Sequence, residues 1–346
     1  MAEWLSSVSP GDRRTMAKVD RLLEQEGIRR DRNLDYICGL FDDEGDLIAT
    51  GSCFKNTIRC LAVSGEHQGE GLLNRVVGHL MEVQIRRGNA HVFLCTKCQS
   101  ARFFSDLGFC EIARVDGQLV FMENRRTGFL DYCSDLARTR TEGVSAAVVM
   151  HANPFTKGHL HLVERAAAEN DTVHLFVLSE ESGPIPFAVR KRLVAEGVAH
   201  LSNVICHDSG PYIISAATFP SYFLRDEDEV AQVHARLDVA VFARIAASLH
   251  VTRRYVGEEP SSGVTAAYNT IMAEELPKTG IECRIIPRLT EKGRTISAST
   301  VRQAIHDGEL ESVMDMLPPA TAAYFTSAEA EPVIAAIQAA DDVIHH

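Results

Sequence analysis

Apolar residues at Met16, Val19, Leu22 and Leu23 recur at helical spacing and Gly27 ends the run, so the pattern predicts a helix over 13–27. Residues 36–41 and 47–54 read as strands, and the DDEG between them predicts a hairpin. A third strand is predicted over 58–63. In SGEHQGEGLLNRVVGHLMEVQIRRG, glycines precede a helix with Leu72, Leu73, Val76, Val77, Leu80 and Val83 on its apolar positions. A strand over 91–96, a helix over 101–107 and strand-like runs near Ile112 and Val120 complete the first part.

The pattern then changes. Residues 127–143 are polar and charged, with Arg138, Arg140 and Glu142, and predict a linker at 131–143. A continuous apolar strand follows over 144–150, as in a buried parallel sheet. Helices over 158–170, 187–200, 230–249, 263–276 and 297–307 alternate with strands over 172–178, 204–206, 255–257 and 283–286. Such alternation predicts an α/β, doubly wound parallel sheet. The expected division is therefore a first domain over 1–130 and a second over 144–346.

Composition narrows the function classes. A length of 346 residues fits two domains. The net charge of -12 argues against a surface that coats nucleic acid. No apolar run approaches the ~20 residues that span a bilayer, so no membrane association is expected. The start MAEWLSSVSPGDRR lacks a basic segment followed by an apolar core, and predicts no signal peptide. The 9 scattered cysteines fit a reducing cytoplasm. Cys95 and Cys98 form a CxxC without a second pair, so no protein-held metal is expected.

Candidate chemistry begins where the first strand of the second domain runs into MHANPFTKGHLHLVERA. In open α/β sheets the ligand crevice lies outside the carboxyl ends of the strands. A helix start there offers free N–H groups and a positive dipole end to phosphate. Asn153, Pro154 and Phe155 shape the turn, Thr156 and His159 stand three apart at its mouth, and Gly158 permits close approach of a nucleotide. Lys157 adds charge. No GxxxxGK[ST] is present, which excludes a P-loop. TxGH is the form taken by the HxGH-type nucleotidyltransferase signature; the same residues also read as a turn and a capped helix. A second segment, RTISASTVRQAI, crowds Thr295, Ser297, Ser299 and Thr300 at a helix start with Arg302 in the first turn. A cation there opposes the helix dipole unless an anion lies nearby. It resembles the ISSTxxR element that closes over ATP phosphates in the same superfamily.

NPFTKGH, GPYIISAATFPSYFLRDEDEV, YVGEEPSSGVTAAYN and ISASTVR together resemble the citrate lyase ligase family, over essentially the whole second domain. The resemblance implies an ATP-dependent acid-thiol ligase. Its partners would be acetate and the acyl-carrier subunit of citrate lyase, whose thiol sits on a phosphoribosyl-dephospho-CoA arm. It further implies an N-terminal GNAT-like α+β domain followed by a Rossmann-like nucleotidyltransferase domain. The GNAT signature [RQ]xxGx[GA] falls on Glu66, His67, Gln68, Gly69, Glu70 and Gly71. Gly69 and Gly71 match, while Glu66 replaces Arg or Gln and, with Glu70, would repel a pyrophosphate.

On this reading His159 and Thr156 hydrogen bond the phosphates, while Arg302 and Ser299 grip the β- and γ-phosphates. Ser297 and Thr300 support them from the same helix start. Arg190 faces nucleotide or acetate, or else solvent. Gly257, Glu258 and Glu259 end a strand where a ribose or metal contact fits. Mg²⁺ is expected as the partner of ATP, bound through phosphates. Two alternatives stay open. One is a nucleotidyltransferase making a dinucleotide cofactor from ATP, and the other a non-catalytic adenylate-binding module.

Overall fold

The computed structural model describes residues 3–215, 218–224, 226–258, 263–291 and 293–340. The chain divides into two compact units, Met1–Phe129 with Pro220–Val233, and Leu130–Phe219 with His234–His346.

The first unit contains β1 (Trp4–Ser7), α1 (Arg13–Gln25), β2 (Tyr36–Phe41), β3 (Leu47–Phe54), β4 (Thr57–Val63), α2 (Leu72–Arg86), β5 (Phe93–Thr96), α3 (Ala101–Asp106), β6 (Cys110–Val115) and β7 (Leu119–Glu123). Asp12 caps α1 by accepting from the Thr15 N–H at 3.1 Å. The helix buries Met16, Val19, Leu22 and Leu23, the four apolar positions that define its period. Strand order is β1-β2-β3-β4-β5-β7-β6. All neighbours are antiparallel except β4 and β5. That parallel pair is joined only at Thr57↔Phe93 and Ile58↔Leu94. Past those residues the two strands make no ladder, which opens a gap between Leu61–Val63 and Cys95–Thr96. β1 is too short for its alternation to register as a strand signal.

The second unit carries β8 (Ser145–Met150), α5 (Lys157–Glu169), β9 (Thr172–Val177), α6 (Phe187–Gly197), β10 (Val204–Asp208), β11 (Val251–Gly257), α8 (Gly263–Glu275), β12 (Glu282–Ile286), the small hairpin β13 (Thr290–Glu291) and β14 (Arg294–Thr295), α9 (Ala298–His306), α10 (Pro319–Phe325) and α11 (Glu331–Gln338). Two more helices, α4 (Gly128–Ala137) and α7 (Glu227–Leu249), cross a unit boundary in sequence. β8 to β12 form a parallel sheet in the order β10-β9-β8-β11-β12. The order reverses between β8 and β11, and the carboxyl ends there make the crevice expected of a doubly wound sheet. The strand and helix alternation thus has its predicted outcome.

Two expectations need correction. The segment 131–143 is not all linker, because α4 runs through Ala137. Phe129 and Leu136 are buried in it at helical spacing, among charged neighbours that mask the signal. The stretch Pro220–Val233 belongs with the first unit, although it falls within 144–346. Past residue 307, Val313, Tyr324, Phe325, Val333 and Ile337 join the core of the second unit alongside Val148, Val163 and Leu175.

Candidate active site

α5 begins directly after β8 through a short turn that includes a cis Asn153–Pro154 bond. Thr156 is its N-cap. The Thr156 hydroxyl oxygen accepts from the His159 N–H at 3.4 Å, and His159 Nδ1 accepts from the Thr156 backbone N–H at 3.1 Å. This reciprocal box places two of the predicted site residues in one hydrogen-bonded unit. Because Nδ1 is the acceptor, the network assigns the ring proton to Nε2. Burial, then the charges of Arg288 and Arg302, push the His159 pKa down to about 4. The ring is therefore neutral at pH 7 and offers Nε2–H as a donor. It stacks on Phe155 at 5.9 Å between centroids.

α9 brings the second segment to the same place. Ser297 caps it by accepting from the Thr300 N–H at 3.1 Å, and its hydroxyl lies 3.0 Å from Ser299 Oγ and 2.8 Å from Thr300 Oγ1. Arg302 is 3% exposed, and its Nη1 donates to the Asn153 carbonyl at 2.6 Å. A Cβ on Gly158 would lie 3.1 Å from the Ile296 carbonyl oxygen. Gly158 thus admits the chain that leads into α9, a different reason from the close nucleotide approach expected of it. Two helix starts, of α5 and α9, and their hydroxyls converge there, a suitable setting for phosphate oxygens.

Several predicted contacts take other roles. Arg190 is fully buried and is not a ligand contact. Its guanidinium donates to the carbonyls of Ile185, His151, Leu178 and Glu180. It clamps the chain leaving β8 and β9, with four of its five N–H donors given to backbone carbonyls. Phe155 is also fully buried, packed in the core against Gly197, so it supports the His159 ring instead of touching a nucleotide. Pro154 is buried beside it. Lys157 is half-buried and 3.5 Å from Glu291 of β13. Gly257 accepts from Asn269 at 3.0 Å through its carbonyl, and Glu258 donates its N–H to Ile286 at 2.9 Å. Glu259 lies outside the described residues.

In the first unit, Gly69 and Gly71 adopt φ of +89° and +76°, and Gly71 is the N-cap of α2. Only glycine takes both without strain. They line a cavity of about 640 Å³ that also touches Leu61, Ala62, Cys95 and Tyr222. The cavity fills the gap between β4 and β5. Glu70 is held by His67 at 3.1 Å, and Gln68 donates to Glu26. Tyr222 is buried at the far wall, donating to the Cys95 carbonyl at 3.3 Å.

The citrate lyase ligase C-terminal domain model matches residues 145–325, more than half of the chain. A [citrate [pro-3S]-lyase] ligase of Klebsiella pneumoniae is 34% identical over 312 residues, covering 88% of this chain and 91% of that protein. The chain belongs to the citrate lyase ligase family. A phosphopantetheine adenylyltransferase of Staphylococcus haemolyticus is 40% identical over 58 residues, 16% of this chain and 36% of its own length. A solved acyl-CoA N-acyltransferase of Pseudomonas aeruginosa matches 36% of this chain and 100% of its own, at 15% identity and a TM-score of 0.32.

Within this citrate lyase ligase family member, two site residues escape sequence reasoning. Arg288 follows β12 directly, donates to the Glu258 carbonyl at 2.9 Å and acts on His159 by its charge. Its only sequence signal is its place after the last strand of the parallel sheet. His151, which the motif alone does not single out, carries a buried Nε2 without a partner among the described residues. Among those residues no group of three or more His, Cys, Asp or Glu is arranged to hold a metal ion. No helix among them is long and apolar enough to cross a membrane.

Proposed function

We propose that this chain uses ATP to activate acetate as acetyl-adenylate, and then acetylates the thiol of the dephospho-CoA-derived arm on the acyl-carrier subunit, thereby activating citrate lyase. The observation that carries this reading is the Thr156–His159 box at the switch point of the parallel sheet, tied to the second motif through Arg302 and Asn153. A neutral His159 with its proton on Nε2 suits a phosphate oxygen whose charge grows as the reaction proceeds.

In the first half-reaction an acetate oxygen attacks the α-phosphorus of ATP. The bond from that phosphorus to the bridging oxygen breaks, and pyrophosphate leaves. His159 and the free N–H groups at the start of α5 hold the phosphates in line, with Ser297, Ser299 and Thr300 at the start of α9 opposite. Mg²⁺, when bound through the phosphates, would neutralise part of their charge. In the second half-reaction the thiol sulfur attacks the acetyl carbon, the thioester forms, AMP leaves and the thiol proton is lost to solvent. The first-unit cavity, with its Gly69–Gly71 turn at the α2 start, suits the pantetheine portion of the arm, while Glu66 and Glu70 make its grip on the pyrophosphate looser than an acetyltransferase needs.

Acetate-dependent exchange of labelled pyrophosphate into ATP tests the first half-reaction. Exchange that needs no acetate but needs 4′-phosphopantetheine would instead support a nucleotidyltransferase, the reading favoured by the local similarity to phosphopantetheine adenylyltransferase. No exchange with either acceptor would leave an adenylate-binding module.

A further inference from the structure

The carboxyl end of β8 contains polar groups that the phosphate site does not use. Nδ2 and Oδ1 of Asn153 and Nε2 of His151 are buried without a hydrogen-bond partner among the described residues. Asn153 is 2% exposed. Buried polar side chains are nearly always paired, so three orphan atoms within three residues mark a place where a partner is missing. The loop that follows β9 covers the Asn153 amide, since a Cβ on Gly183 would collide with its Nδ2. Two buried guanidinium groups are tied to the main chain of this turn. Arg302 donates to the Asn153 carbonyl at 2.6 Å, and Arg190 to the His151 carbonyl at 2.7 Å.

We infer that the Asn153 amide and His151 Nε2, beneath Gly183, form the subsite that receives the small carboxylate substrate. This rests on the adenylation reading above. Fixed positive charge nearby favours an anion, and the donors needed to hold one are present but unused. The place suits a small acid better than a triphosphate, because the covering loop leaves the orphan atoms away from water. Nδ2 donates to one carboxylate oxygen, and His151 donates to the same group through its Nε2–H tautomer. Asn153 Oδ1 accepts from water that enters with the acid. The other carboxylate oxygen then faces the phosphate site around His159, three residues beyond Thr156 on the same turn. Asn153 and His151 are thus specificity-determining residues for the acid, separate from the groups that hold ATP.

The test compares KM values for acetate and for ATP in acetate-dependent pyrophosphate exchange, using the full chain with Asn153→Ala, Asn153→Asp and Gly183→Ala. Asn153→Ala is expected to raise the acetate KM at least about tenfold while the ATP KM stays within about twofold. Asn153→Asp places a carboxylate against the substrate and is expected to prevent saturation by acetate, with ATP binding by calorimetry preserved. Should either Asn153 variant fail to fold, Gly183→Ala keeps the amide but crowds it from the loop, and is expected to raise the acetate KM alone. Unchanged acetate KM in the folded variants, or equal rises for ATP and acetate, overturns the subsite. If the unmodified protein shows no acetate-dependent exchange at all, the adenylation reading falls and the subsite with it.

Discussion

Arg302 Nη1 donates a 2.6 Å hydrogen bond to the main-chain carbonyl of Asn153, across 149 positions of sequence. Through it, the helix start at Ser297 and the turn before α5 become one structure, and the charge of Arg302 adds to burial, and to the charges of Arg190 on His151 and Arg288 on His159, in lowering the pKa of both histidines. The bond gives Arg302 a positioning role in addition to any contact with phosphate. Arg302→Ala leaves the Asn153 carbonyl unpaired, a cost of about 1–3 kcal/mol. The expected outcome is a lower thermal midpoint and an ATP KM raised at least about tenfold, equivalent to about 1.4 kcal/mol, with the carrier-protein KM unchanged. A change in the carrier KM alone would assign Arg302 to a docking surface.

His159→Ala is expected to lower acetate-dependent pyrophosphate exchange by about 10²–10³, the usual loss of one donor aimed at developing charge. The fold should persist, because Phe155 remains in the core beneath the ring, but the Thr156 N–H loses its Nδ1 acceptor and about 1–3 kcal/mol of stability should go with it. With its pKa near 4, His159 is neutral across the working range. The exchange rate should therefore show no break near pH 6.5 that disappears in the variant. Near-full exchange in His159→Ala would remove this residue from the site.

Arg190→Met should act on stability and not on substrate affinity. The substitution strands the carbonyls of Ile185, His151, Leu178 and Glu180. A loss of at least about 3 kcal/mol is expected in urea unfolding, taking about 1–3 kcal/mol for each buried group left unpaired. In the fraction that remains folded, the ATP KM should match the unmodified protein. A stable variant with a raised ATP KM would restore Arg190 to the nucleotide site.

Acid should weaken the fold in a defined window. Burial lowers the pKa of His151 to about 3 and those of His159, His174 and His207 to about 4. In the unfolded chain histidine titrates near 6.5. As the pH falls from about 6.5 towards 4, the unfolded state takes up protons that the folded state refuses, so stability falls; above about 7 these groups have no effect. His174 on β9 and His207 on β10 face each other at 2.9 Å and are not among the residues assigned to the phosphate site. His207→Gln should therefore reduce the loss of urea midpoint between pH 7 and pH 5. An equal loss in both proteins would show that His207 does not contribute.

The sequence pattern is legible where the signal is local. The periods that define α1, α2, β8 and α5 come from residues that are buried on one face or throughout, and the Thr156 and Ser297 caps lie where their hydroxyls lead a helix. What it conceals is set by distant partners. Nothing beside Arg190 in the sequence distinguishes it from a solvated helix arginine; its carbonyl partners come from the end of β8 and from residues just after β9. Likewise Tyr222 reads as part of the second domain, yet its hydroxyl bonds to Cys95 in the first unit. Phe155 and Gly158 lie inside a ligand motif but answer to packing, against Gly197 and the Ile296 carbonyl.

The same observation shapes the test of the first-unit cavity. Deleting residues 1–130 would leave Pro220–Val233 without the unit to which it belongs, and Tyr222, now buried, would be exposed. Point substitution avoids that. Gly71 holds φ of +76° at the start of α2, and open space surrounds the position a Cβ would take. Gly71→Val is therefore strained by its backbone and not by collision, and it puts a branched side chain at the cavity mouth beside free helix N–H groups. If the cavity receives the prosthetic arm, Gly71→Val should raise the KM for carrier-subunit acetylation at least about tenfold, or about 1.4 kcal/mol. Acetate-dependent pyrophosphate exchange should remain within about twofold, because Thr156, His159 and Arg302 lie in the other unit. Gly117→Val supplies the control: its φ of +73° imposes similar strain in a turn that does not line the cavity. Equal loss of carrier acetylation in both variants would trace the effect to backbone strain, and loss of exchange together with acetylation in a folded Gly71→Val would show that the first unit takes part in adenylation.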